Sequence, residues 1–180
     1  MKIEYRIQRH GRHLKLLACI GVAGVAALGG LAAASPWIDM WALRTSAWSV
    51  FGMPAHEAAA LPDDARMLLS AACLLVTLAF LLPLLALRQL GQHLRDGDAL
   101  GRPVADAFRW LAHSLPLMAG LRLVANALAG AAAGVGDDDY HLSVDVGDTY
   151  LFLIACLCLY SVAHLMRLAA ETADDARSIV

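Results

Sequence analysis

The chain has 180 residues, 59% hydrophobic and only 17% charged, well below the roughly 25% charge of soluble domains. Its formal net charge of −2 gives no electrostatic reason to expect nucleic-acid binding. The apolar residues gather in long blocks, several close to the ~20 residues that an α-helix needs to cross hydrocarbon, which argues against an ordinary soluble globule.

Residues 1–15 form a basic arm carrying Lys2, Arg6, Arg9, Arg12, Lys15, His10 and His13, suited to an anionic inner leaflet. Leu16–Ala34 follows without a single Asp, Glu, Lys or Arg. The small residues ending this run resemble a signal-peptide cleavage site. However, the run has 19 residues against the ~7–15 of a signal core, so it reads as a retained anchor. Its Gly21, Gly24, Gly29 and Gly30 suit close helix packing. Ser35-Pro36 then reads as a helix start, with Ser as cap and Pro in the first turn. Trp37, Trp41 and Trp48 fall within ~40° of one another at helical spacing. They predict a short helix over residues 37–51, either at the membrane interface or packed over the helix ends.

The second span is expected over 67–87, with Pro83 freeing the carbonyl of Ala79 and kinking the helix. Its apolar pattern runs on to Leu94 and stops at the turn signal Asp96-Gly97-Asp98. A third helix restarts near Pro103 and spans at about 110–134, in a block broken only by Arg122. In "DDDYHLSVDVGD", Tyr140, Leu142, Val144 and Val146 alternate as in a short extended segment. The fourth span is expected over 150–166, its helix continuing through the tail. A backbone in lipid must satisfy its own hydrogen bonds, so the spans are helices. The expected fold is an all-α membrane protein. Residues 1–180 form one integral membrane domain, a four-transmembrane-helix bundle with a short interfacial helix in its first outer loop.

The positive charges orient it. Five Lys/Arg precede span one, Arg88, Arg95, Arg102 and Arg109 surround the second connection, and Arg167 and Arg177 follow span four. The other two connections are poor in Lys/Arg and carry acids such as Asp63, Asp64, Asp137 and Asp145. The positive-inside rule then places both termini in the cytoplasm.

Few side chains suggest chemistry. Arg122 falls near the membrane midplane, where a charge costs about 2.5–3.5 kcal/mol, so it is expected to face the bundle. Asn126 lies one turn on, and Tyr160 of span four comes to similar depth. The three make either a hydrogen-bonded clamp or an anion contact in a polar cavity. His113 and His164 stand at similar depth near the inner face and are the candidate metal or haem ligands, though no HExxH, CxxCH or CxxC accompanies them. Cys19, Cys73, Cys156 and Cys158 all lie in spans and read as small packing residues. Gly130 and Gly134 form a GxxxG pattern that permits close contact within the bundle or between protomers. No catalytic motif and no cofactor site emerge. All 16 acidic residues lie outside the spans, which weighs against a proton-coupled pump.

"LRQLGQHLRDGDALGRPVADAFRWLAHSLPL" and the tail "RLAAETADDARSIV" resemble the corresponding parts of the domain of unknown function 2975 family. In place of that family's Gly-x-x-Phe-Ser/Thr element stands Gly101-Arg102-Pro103-Val104-Ala105, without the aromatic and the hydroxyl. The resemblance implies a small bacterial four-span inner-membrane protein with no known activity. Relatives often accompany small helix-turn-helix regulators, which implies a partner role by analogy.

The reading is therefore a non-enzymatic inner-membrane protein that holds or regulates a cytoplasmic partner. The alternatives are a small oligomeric transporter or channel with its polar site at Arg122, and a haem- or metal-binding electron carrier. Single-cysteine labelling in a cysteine-free background checks the topology. Position 98 should react only from the cytoplasmic side, and labelling from outside would invert the orientation.

Overall fold

The computed structural model describes residues 2–38, 50–51, 62–96, 102–134 and 146–178. They form four α-helices, α1 (Lys2–Ala34), α2 (Asp63–Arg95), α3 (Arg102–Gly134) and α4 (Val146–Ser178), with a 3-10 turn at Ser35–Trp37. No strand occurs among the described residues. Each helix has 33 residues. At the α-helical rise that is about 50 Å, some 20 Å more than a ~30 Å hydrocarbon core requires. All four contain stretches long and apolar enough to cross a membrane, within Gln8–Trp37, Asp63–Arg95, Arg102–Ala132 and Phe152–Thr172.

Local chemistry explains the helix ends. Asp63 and Asp64 occupy the first turn of α2, and His93 and Arg95 its last, each sign opposite the helix dipole. Arg102 opens α3, so Pro103 sits in the first turn as expected. Three local expectations are corrected. Ser35 does not cap a new helix: its hydroxyl donates to Ala32 O at 2.8 Å, satisfying one of the carbonyls that α1 leaves open at its end. The helix expected over 37–51 does not begin at Trp37, because the 3-10 turn ends there and Ile38 is extended. Residues 39–49, with Trp41 and Trp48, lie outside the described residues. Finally, Val146 begins α4 instead of ending an extended segment.

The contacts divide the chain into two compact units. One comprises Met1–Val22, Leu82–Leu117 and Asp145–Val180. Its core joins Ala86 and Leu90 of α2 to Val104, Ala107 and Leu111 of α3, with Leu14 of α1 and Leu159 and Met166 of α4 against them. Within it α1 and α2 touch backbone to backbone. A Cβ on Gly11 would lie 2.7 Å from Arg95 N, and one on Gly91 would lie 2.7 Å from Lys15 N. The other unit comprises Ala23–Leu81 and Met118–Val144. Its core is Ala32, Ala65, Leu69, Cys73 and Ala132, with Phe51 packed against it. There a Cβ on Gly29 would overlap the Thr77 side chain, and Trp37 Nε1 donates to Ser70 Oγ at 3.0 Å.

Small residues do most of the packing, and they recur every seven positions. In α2, Ala65, Ala72, Ala79 and Ala86 are all buried. Ala105 and Ala112, then Ala125 and Ala132, repeat this in α3, as do Cys156, Ala163 and Ala170 in α4. A seven-residue period keeps one seam of a helix against its neighbour. Many of the large apolar side chains point the other way: Leu28 is 70% exposed and Leu157 65%. This inverts the soluble pattern, in which leucine is among the residues most often buried. The hydroxyls of Thr77 and Ser114 bond back to Cys73 O and Leu111 O of their own helices, so they do not bridge helices.

Gly91→Ala should therefore destabilise by about 1–3 kcal/mol, since the atoms in its way are backbone and cannot swing aside. Gly24 and Gly30, where a Cβ meets nothing within 4 Å, should accept Ala without loss. Unfolding midpoints of the purified variants in detergent check this contrast.

Candidate functional site

Arg102, Asp106, Arg109 and His113 recur along α3 at i, i+4, i+7 and i+11, which places them on one helical face. Tyr160, His164, Arg167 and Glu171 have the same spacing on α4. Within the first unit these two faces line a groove of ≈ 570 Å³. Ala105, Ala163 and Ala170 also line it and are themselves buried. Alanine lets the helices approach, while the long flanking side chains rise into walls.

His113 and Tyr160 pack edge to face, with ring centroids 5.3 Å apart and planes at 68°. The same groove takes in the start of α3 and the later turns of α4, so within this unit the two helices run antiparallel. Stepping one turn at a time from the His113–Tyr160 contact sets Arg109 level with His164, Asp106 with Arg167, and Arg102 with Glu171. Opposite charges share a level twice. His113 Nδ1 lies 2.7 Å from Arg109 O. A carbonyl can only accept, so Nδ1 carries the proton and Nε2 is left toward the surroundings. Arg167 Nε donates to Glu171 Oε1 at 2.9 Å, which fixes the guanidinium fork along the α4 wall.

The structure thus brings His113 and His164, paired in the sequence as candidate ligands, into one groove with Tyr160, which the sequence set beside Arg122. Among the described residues no group of three or more His, Cys, Asp or Glu gathers to hold a metal. Arg122 is exposed, which corrects the expectation that it faces inward. The cause lies in α3 itself. Between Ser114 and Ala125 none of its residues is buried, Pro116 interrupts its backbone bonding there, and Gly120 has open space around it. The seven-residue seam breaks at that stretch, and Arg122 falls inside the break. Tyr160, the partner expected for Arg122, packs on His113 instead. Asn126 is half-buried and has a partner of its own.

Gly130 is buried, and Gly134 is the last residue of α3. Cys73 and Cys156 are buried, Cys19 and Cys158 exposed, and all four are free thiols. Reading histidines one by one missed Asp106 as a wall residue of the groove. The signal was present as two polar faces of identical spacing, but nothing in the sequence set one against the other.

No protein-family model matches the chain, and neither a curated protein nor a solved structure does so.

A double-mutant cycle of His113→Ala and Tyr160→Ala should give a coupling of about 0.5–1.5 kcal/mol in unfolding free energy. Tyr160→Phe should preserve it, because the ring makes the contact. Strict additivity would mean that the rings do not interact.

Proposed function

We propose that this chain is a multi-pass protein of a bacterial inner membrane, with both termini cytoplasmic, that holds or regulates a cytoplasmic partner without catalysing a reaction. The observation that carries the reading is the groove between α3 and α4, whose walls present three arginines, two histidines and two carboxylates. Over the eleven helical steps from Arg102 to His113 it extends for roughly 17 Å, about three turns of a partner helix. Mixed charge along such a length selects one register and one direction of a charged helix, a known mode of peptide recognition. The helices exceed the bilayer thickness, so charged turns at their ends can stand clear of the hydrocarbon.

The Lys/Arg distribution supports the cytoplasmic assignment of this end. The large exposed leucines support lipid as the surroundings of the outer faces. The resemblance to the domain of unknown function 2975 family points to a small helix-turn-helix regulator as the partner. The partner reading is preferred to the transporter alternative because Arg122 is exposed, whereas the charged groove is walled by two helices.

Tagged full-length protein should be purified from native membranes beside the variant Arg109→Glu/Arg167→Glu. The expected result is a stoichiometric soluble protein that the wild type retains and the variant loses, with the variant's unfolding midpoint unchanged. Equal retention by both would remove the groove from partner binding.

A further inference from the structure

Also within the first unit, α1 and α2 cross at Gly11 and Gly91. Because α1 and α2 meet backbone to backbone there, the residues flanking the crossing are drawn together. Gln8, Arg9, Arg12 and His13 of α1 and Arg95 of α2 line a cleft of ≈ 600 Å³, within the range of ligand clefts. No carboxylate lines it among the described residues. Three guanidiniums from two helices therefore face one volume, an arrangement that like-charge repulsion disfavours unless an anion joins it.

The residues that follow say what carries the anion. Arg9, His13, Leu16 and Ile20 fall on one face of α1, so the basic patch runs directly into an apolar strip. Along that strip Leu16 is 56% and Ile20 61% exposed, with Leu17 beside them at 66%. A basic cleft continued by exposed leucines one to two turns deeper matches an amphiphile with a phosphate at its head. We infer that the α1–α2 cleft binds the phosphate of an anionic lipid headgroup, with the acyl chains lying along Leu16, Leu17 and Ile20. Arginine forks suit phosphate oxygens, and basic pockets between membrane helices are sites for such headgroups. The inference rests on the membrane reading and does not involve the partner groove.

Delipidated full-length protein in neutral detergent tests it, with phosphatidylglycerol, phosphatidylcholine or inorganic phosphate added and binding read by native mass spectrometry and by the unfolding midpoint. Phosphatidylglycerol should bind and stabilise, phosphatidylcholine should do so far less, and inorganic phosphate should have little effect. Arg12→Gln and Arg95→Gln should each weaken phosphatidylglycerol binding roughly fivefold. Arg88→Gln, exposed on α2 and outside the cleft, should leave it unchanged. Arg12 and Arg95 stand on different helices, so if one variant fails to fold the other still decides. Equal binding of the two lipids, or equal loss from Arg88→Gln, would overturn the site. Stabilisation by inorganic phosphate as strong as by phosphatidylglycerol would overturn the lipid as its source.

Discussion

Apolar helices in lipid gain little by exchanging lipid tails for one another, so how closely their backbones approach decides whether they associate. In this chain that approach is set by residues with almost no side chain. Gly11 and Gly91 allow α1 and α2 to touch, and buried alanines at seven-residue intervals line α2, α3 and α4. Dispersion between such surfaces grows with the number of atoms within about 4 Å, and each added methyl moves the partner helix away from its neighbours. Many large side chains, Leu28 and Leu157 among them, stay exposed, which would cost little in lipid.

The same geometry creates the polar features. When helices meet through alanine, the long side chains on either side of the seam cannot enter it, so they stand up as walls. Between α3 and α4 this yields a groove walled by Arg, Asp and His on one side and by Tyr, His, Arg and Glu on the other. Between α1 and α2 it yields a cleft whose ionisable lining is only basic. Both belong to the same contact unit, which also contains the whole of α4. One surface suits a partner carrying both signs of charge, and the other suits an anion, so the two need not compete for one ligand.

Arg122 is exposed, although a charge at membrane depth is costly. Burial in a bundle spares a membrane charge its cost only where the helices close around it. The seam of α3 is interrupted around Pro116 and Gly120. Where no seam closes, no interior exists for a guanidinium to occupy. Tyr160 was assigned a useful contact, but its neighbour is a histidine ring at the polar end of the groove.

The sequence by itself determined the four helices, because long apolar blocks, interrupted only by Arg122, favour helices long enough to cross a membrane and because Pro, Asp-Gly-Asp and first-turn acids mark their ends locally. It also determined where charge collects, and with it the segments that line both polar features. Some local elements differ from the sequence expectation: the Ser35 hydroxyl serves the helix before it, donating to the open carbonyl of Ala32 three residues back. Only the tertiary structure decided which small residues form seams, which helical faces oppose each other, and that His113 meets Tyr160. Those outcomes depend on the rotation of each helix about its axis. In an alanine-rich helix with apolar residues on every side, the hydrophobic pattern leaves that rotation undetermined, and only the contacts made by a few glycines and alanines select it.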